Sequence, residues 1–563
     1  MAASRDPGDT SSAKIRRGAG TLAAVGALLV SMLAAPLATA APRAPGDGLV
    51  ISVVAPLTAP WGEAGILDAE TLATATAPTG VLTRELDEIL ATTATVGLDP
   101  MIPASIRLLG STAPESAVEW LDRLEAASNE VFLLAYADAD LTALARAESI
   151  DLAMPLDLEF ALDPAAFGPA ETGTPTPDPS GTAQPDDEPP PLPSTDELLA
   201  WPDAIGAIAW PAEGSASAAD LPAYAAAQYA ATLLSSANLS PVSTALVDID
   251  GATGLVADAG ASALIREASA AIDATVRQDA VRRLGLELDR LATADPGRSV
   301  VLTLDRTPTF AIPGLAEVLG AIAARESTRV TGLSALLAGA AVPATVVEGE
   351  PNPATELAPT LTDALRAEQR FATILADPAP LVVPRQLALL RLLTVQELDA
   401  DGWRSDADAY LARSTEIRGS VTIVDTGDVL VTSSNTSMPV SIANALDFAV
   451  TVSVDARPQR PLLRIDGPTE VTVEPASSTV VNLGAQAITN GEVVVEVSIS
   501  SPATGEQIGP THRVNADLQA QWETVGIILG IVVALIFAAG LIRNVVLRRR
   551  EAARDSGDET ATE

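Results

Sequence analysis

The chain has 563 residues, 34 basic against 73 acidic side chains and a formal net charge of −39. Its length allows about two to four domains, and a hydrophobic content of 48% is enough to bury sizeable cores. The charge excludes nucleic-acid binding, which needs a basic face to displace counterions. It also excludes a head lying flat on an anionic bilayer. It leaves a solvated, self-repelling surface, with calcium binding by clustered carboxylates as a narrower option.

The missing residue types exclude more. There is no cysteine, one lysine (Lys14) and one histidine (His512). Disulfides and thiolate chemistry are ruled out. With Lys14 in the leader, so are a Schiff-base lysine and a lysine phosphate clamp in the mature chain. A Ser-His-Asp triad and a histidine-ligated zinc site, such as a zinc polysaccharide deacetylase needs, have no histidine in the head to use. No cofactor and no metal are expected.

At the N-terminus, Arg16 and Arg17 precede an apolar run, 22–37, and the small-x-small sequence Ala38-Thr39-Ala40. This is the layout of a secretory leader over residues 1–40 with Ala41 as the new terminus. The head then alternates short apolar runs with helical segments. Strands are expected at 49–54, 95–98, 131–136, 207–210, 244–249 and 299–304. Helices are expected at 84–90, 115–127 (Val118, Leu121 and Leu124 on one side), 141–147, 221–235, 261–292, 314–324, 360–375 and 385–397. Residues 171–194 are dominated by Pro, Thr, Asp and Gly and read as a disordered insertion. Such alternation is the pattern of a parallel sheet with crossover helices. The expected fold for residues 41–413 is a (β/α)-barrel-like head, possibly irregular in closure, with an open doubly wound sheet as the alternative.

Beyond residue 413 the apolar period becomes two. Seven short runs separated by turn signals such as Asp466-Gly467-Pro468 and Asn490-Gly491 predict an immunoglobulin-like β-sandwich over 414–518. The uncharged run 525–542 then predicts a transmembrane helix within 523–543. Trp522 sits at its head, and Arg543, Arg548, Arg549 and Arg550 follow it. By the positive-inside rule the tail, 544–563, is cytoplasmic and everything before the helix is extracytoplasmic. The sandwich is then a stalk, and the chain is a single-pass cell-membrane protein whose first partner is the lipid bilayer.

Four segments carry a resemblance: Val53-Val54-Ala55-Pro56-Leu57, Gly97 through Arg107, Glu119 through Leu124, and Ala135-Tyr136-Ala137-Asp138-Ala139-Asp140-Leu141. They resemble an actinobacterial family of uncharacterised exported membrane proteins, in keeping with the Ala-rich, Arg-for-Lys usage of a GC-rich bacterial genome. The resemblance implies the same layout of leader, head, β-sandwich and C-terminal helix. The family's genes often lie near that of the lipid II flippase, which implies cell-envelope work. It transfers no catalytic residue.

Six carboxylates follow expected strands: Asp99, Asp138, Asp140, Asp248, Asp250 and Asp305. In a β/α barrel such residues converge on one face, and two carboxylates there are what glycoside hydrolysis needs. Asp99, Asp138, Asp248 and Asp305 are the catalytic candidates, with Tyr136, Trp61 and Trp210 as sugar-stacking faces. Helix capping is the simpler reading, above all for Asp138 and Asp140 just before Leu141. The expected function is a non-enzymatic envelope protein that binds a glycan or a membrane-protein partner, or acts as a scaffold or sensory subunit. A carboxylate-dependent glycosidase-like enzyme is the alternative.

Overall fold

The computed structural model describes residues 48–555, apart from 60–64, 156, 169–190, 243, 307–311, 348, 350–352, 396–399, 425–426, 432–435 and 519–521. The leader 1–40, most of the 171–194 insertion, Trp61, the side chain of Trp522 and the tail beyond 555 lie outside the described residues.

The strands of the head are, in chain order, β1 (Leu49–Leu57), β2 (Thr95–Leu98), β3 (Val131–Leu133), β4 (Ile208–Ala209), β5 (Ala231–Ser235), β6 (Leu239–Ser240), β7 (Leu246–Ile249), β8 (Ala252–Ala257), β9 (Ser299–Thr303), β10 (Thr328–Val330), β11 (Val342–Pro343) and β12 (Thr345–Val346). Seven of them form one parallel run in the order β4-β5-β8-β9-β1-β2-β3. The run curls into a half-barrel, and the Ile205 amide, just before β4, donates to the Val131 carbonyl of β3 at 2.9 Å.

Period-two alternation decides which side chains fill the hollow. Val54, Phe132, Leu134, Ile208, Leu233 and Val301 form an inner cluster, with Trp210 packed against it. Their neighbours Val53, Val131, Ala209, Leu234 and Leu302 belong to the outer core, which the crossover helices cover. The hollow is therefore a packed interior. Gly97 of β2 is glycine because the rings need its space: an added Cβ would lie 3.1 Å from the Phe132 ring and 3.2 Å from the Trp210 ring.

The structure corrects several expectations. The helix at 221–235 is Leu221–Ala226 only, and β5 follows. Alanine propensity suggested one helix, but Gln228 adopts a left-handed φ of 67° that ends it, and all five residues of β5 are buried in the sheet. The helix at 261–292 is two, Ala259–Ala270 and Ala274–Ala294, because Asp273 starts the second by accepting from the Thr275 and Val276 amides. Val118 is exposed; the buried stripe of Glu115–Glu125 is Ala117, Trp120, Leu121 and Leu124. β7 runs antiparallel to β8, so its C-terminal end lies at the opposite end of the sheet from those of the parallel strands.

The helix Ala400–Arg418 runs through residue 413, and the β region begins at Val421. Its strands are β13 (Val421–Val424), β14 (Val429–Val431), β15 (Thr436–Asn444), β16 (Val450–Pro458), β17 (Leu463–Ile465), β18 (Thr469–Val473), β19 (Ser477–Ala487), β20 (Gly491–Ser500) and β21 (Gln507–Leu518). Two of these, β15 and β21, were not among the seven expected runs; Pro439 in one and polar residues through most of the other hide the apolar pattern. They form a four-stranded sheet, β13-β15-β19-β17, and a five-stranded sheet, β14-β21-β20-β16-β18. Alternate residues point into a shared core, among them Val440, Ile442, Val452, Val454, Leu483, Val495 and Val497. The region is tied to the head by a bridge between Leu375 and Val450 and an ion pair of Arg370 with Glu506 at 3.0 Å.

The last helix is Trp522–Asp555. Within it Gly526–Arg550 is 25 residues long with a mean hydropathy of 2.5 and no burial against the rest of the protein. It is long and apolar enough to cross a membrane.

The filled hollow makes a direct prediction. Gly97→Ala should lower unfolding stability by about 1–3 kcal/mol through overpacking against Phe132 and Trp210, measured by chemical denaturation. An unchanged midpoint would mean that the rings have room to move.

Candidate functional site

The C-terminal ends of the parallel strands deliver the polar groups of the head to one place. Asp99 follows β2; Tyr136, Asp138 and Asp140 follow β3; Trp210 and Glu213 follow β4; Asp305 and Arg306 follow β9. This is the mouth, where α/β barrels carry their chemistry.

Asp99 is buried, and its Oδ1 accepts two backbone amides, from Met101 at 2.9 Å and from Ala137 at 3.0 Å. The second bond depends on an uncommon backbone. Ala137 and Asp138 both adopt left-handed φ, 56° and 51°. Two consecutive non-glycine residues in that region store strain that the surroundings must hold. The Val395 amide donates to the Asp138 carbonyl at 2.8 Å, and the Asp140 amide to the Leu393 carbonyl at 2.6 Å. The end of the helix Ala379–Leu392 thus clamps the loop from outside.

The strained turn aims the Asp138 carboxylate at Arg306. Asp138 is 2% and Arg306 7% exposed, and Nη1 donates to Oδ1 at 3.1 Å. Nη2 donates to the Trp210 carbonyl. The guanidinium carbon stands 4.2 Å from the centre of the Trp210 ring, a cation–π contact. Thr58 Oγ1 donates to the Arg306 carbonyl at 2.9 Å, fixing its backbone. Oδ2 of Asp138 is buried with no hydrogen-bond partner.

Two buried acids, Asp138 and Asp140, thus act on one buried guanidinium, and Asp99 acts on Asp138. Burial pushes Asp99 up to about 8, against the amides of Met101 and Ala137 and with help from the Asp138 charge. Burial pushes Asp138 up to about 7, against the pull of Arg306 and with help from Asp140. Burial lowers the Arg306 value, while Asp138 and Asp140 oppose it. Burial, with the Asp99 charge, raises Tyr136 well above its ordinary value. Groups perturbed this way cluster at functional sites and also in structural ion-pair networks.

Behind Trp210, a cavity lined by Trp210, Glu213, Ser235, Asn238, Arg266 and Thr303 has a volume of about 20 Å³, room for a single water. Glu213 closes one wall through Arg266 at 2.8 Å and Ser235 at 3.2 Å. Larger concavities lie elsewhere: one of about 350 Å³ between Asp428, Arg460, Glu492 and Asp517, and a shallow one of about 950 Å³ along the helices Ala69–Ala75 and Val81–Leu90.

The candidate residues therefore separate. Asp99, Asp138 and Asp140 come together. Asp140 Oδ1 accepts the Thr142 amide at 2.9 Å as a helix cap. Asp305 is an exposed residue at the end of β9. Asp248 and Asp250 are exposed in the β7–β8 hairpin, where Asp248 accepts the Gly251 amide at 3.2 Å, and so do not belong to the mouth. Tyr136 is fully buried and donates to the Gly65 carbonyl at 2.9 Å. Trp210 lies between Phe132, with ring centres 6.2 Å apart, and Arg306. Tyr136 is closed off from solvent, whereas Trp210 is half-buried with Arg306 against its face. Arg306 is the residue that reading the carboxylates missed. Its signal was available: a charged residue one position beyond a strand-end acid, where inward and outward directions alternate. Arg543, Arg548, Arg549 and Arg550 are exposed along the last helix.

Fold and site together define a class: an α/β half-barrel head with an acid–guanidinium knot at its mouth, continued by antiparallel sheets and an apolar helix. The chain belongs to the Family of unknown function (DUF6049), whose profile matches residues 25–557. No curated protein sequence matches it. Among solved structures it is similar to the α-amylase AmyC from Thermotoga maritima, at 10% identity over 66% of this chain and 93% of that one, with a TM-score of 0.40. The MSP family member WR4 of C. elegans matches 17% of this chain over 96% of its own, at 11% identity and a TM-score of 0.14. A FixG-related protein from Vibrio parahaemolyticus matches 18% of this chain over 94% of its own, at 11% identity and a TM-score of 0.13. At these scores the likenesses bear on neither fold nor function.

The acid cluster fixes the sign of the pH dependence. Asp99 and Asp138 have an ordinary value of 3.8 and native values of about 8 and 7, so between those limits the native state holds more protons than the unfolded chain. The contribution of these two acids is then full below about pH 4 and is lost as pH rises through the native values. The melting temperature should fall between about pH 4 and 8, and Asp99→Asn, which keeps an oxygen for both amides, should flatten that slope. A slope unchanged in this variant would remove Asp99 from the account.

Proposed function

We propose that this is a membrane-anchored, extracytoplasmic protein of the cell envelope whose head has a non-enzymatic binding or scaffold role. The observation that carries the reading is the commitment of the mouth's acids. The carboxylates that catalysis would use are held by backbone amides and by Arg306, and the cavity behind Trp210, of about 20 Å³, holds no sugar ring. The helix Gly526–Arg550, with its arginines at one end, supports anchoring with the C-terminus in the cytoplasm. The two C-terminal sheets are read as an immunoglobulin-like sandwich that serves as the stalk. An envelope glycan or a membrane-protein partner is the expected ligand, in line with the actinobacterial envelope setting that the sequence resemblance implies.

One observation favours the enzyme reading. Strained backbone at Ala137 and Asp138 beside protonatable buried acids is the combination active sites use. A degenerate glycosidase-like centre would keep it.

Two measurements test the proposal. The full chain should sediment with membranes and resist alkaline carbonate extraction, whereas a chain ending after residue 518 should not; recovery of the full chain in the soluble fraction would refute anchoring. Detergent-purified full chain incubated with peptidoglycan and arabinogalactan fragments should release no new reducing ends. Turnover that is lost in Asp138→Asn would establish the enzyme instead.

A further inference from the structure

We propose that the mouth of the half-barrel is a cation-recognition site that the chain fills with its own Arg306, and that the ligand group it is built for is a guanidinium or a primary ammonium. Three walls are those by which proteins bind such groups. There is a carboxylate on one side, Asp138 at 3.1 Å. There is an aromatic face below, Trp210 at 4.2 Å, the arrangement that recognises organic cations. There is a backbone carbonyl, that of Trp210, in the plane of the donors. The two charged partners are buried and Trp210 is half-buried, so the ion pair acts with little screening from water.

The site also holds more acceptor capacity than Arg306 uses. Oδ2 of Asp138 is buried and unpartnered although its residue is 2% exposed. The charged groups facing the guanidinium are Asp138, Asp140 and Glu213 on the acidic side, with Arg266 opposing them, and Asp99 faces Asp138. Asp138 is the carboxylate that bonds the guanidinium; Asp140 caps the helix at Thr142 and Glu213 pairs with Arg266, and both add to the negative field around it. The left-handed turn at Ala137 and Asp138 is the backbone cost of aiming that carboxylate inward. Arg306 is then an internal occupant, and an external cation binds only when its side chain leaves. This holds whether or not the head also binds an envelope glycan.

The test is chemical rescue in detergent-purified full chain. Arg306→Ala empties the pocket, and methylguanidinium chloride is titrated against sodium chloride at matched ionic strength while the melting temperature is followed. Methylguanidinium should raise the melting temperature of Arg306→Ala saturably, by about 2–4 °C. It should leave the wild type unmoved, and the effect should vanish when Asp138→Asn is added. A shift equal in the wild type, or none in folded Arg306→Ala, overturns the proposal. Should Arg306→Ala fail to fold, the same titration is made on Arg306→Met, which keeps an apolar stem against Trp210 and leaves Asp138 without its cation; a saturable rise with methylguanidinium supports the proposal and no rise overturns it.

Discussion

The contact between Arg306 and Asp138 ties together parts of the head that are 168 positions apart in sequence. Two buried charges are costly to desolvate, and removing one partner of such a pair typically costs about 3–5 kcal/mol because the other is left stranded. The rest of the mouth follows from meeting that cost. Trp210 lends its face and its carbonyl to the guanidinium. Ala137 and Asp138 adopt strained backbone. The end of Ala379–Leu392 holds that loop from behind. A glycine at 97 lets Phe132 and Trp210 fill the floor.

The same solution recurs among the last helices of the head, Pro353–Phe371, Ala379–Leu392 and Ala400–Arg418. Glu368 is fully buried and receives Arg385 through two bonds, at 2.8 and 3.0 Å. The Arg385 guanidinium also lies 3.8 Å from the Tyr410 ring centre and donates to the Tyr410 carbonyl. Arginine is suited to this because its planar fork satisfies a carboxylate and stacks on a ring at once, which an ammonium does not. In a chain without cysteine and with one lysine, buried arginine–carboxylate–aromatic knots are the long-range staples that remain.

The parallel strands were legible because they are continuous apolar runs bounded by turn residues, as with β1 and β9, and the apolar C-terminal helix was legible because no charge interrupts it. What failed did so for identifiable reasons. β5 was hidden in an alanine-rich stretch whose helical propensity yielded to burial in the sheet. β8 contains Gly254 and little bulk, and its neighbour β7 was read as parallel, since strand direction is not written in period-two patterning; Asp248 was misplaced with it. The mouth was legible in part. Strand-end position brought out Asp99, Asp138 and Trp210. Their commitment to amides and to Arg306 could not be read, because it depends on a contact made across the curled sheet and on a left-handed turn at two residues that are not glycine.

The junction between the last strand and the last helix has a consequence of its own. β21 ends at Leu518 and the helix begins at Trp522, and a chain this short spans at most about 14 Å. In the membrane-anchored arrangement proposed above, the β region is therefore leashed close to the bilayer surface and cannot roam the depth of the envelope. In that arrangement the head, joined to the β region through Leu375 and Val450, would sweep a layer of nearly fixed height. A search for any partner would then be lateral diffusion in two dimensions, where confinement alone raises the effective concentration of whatever else is held in that layer.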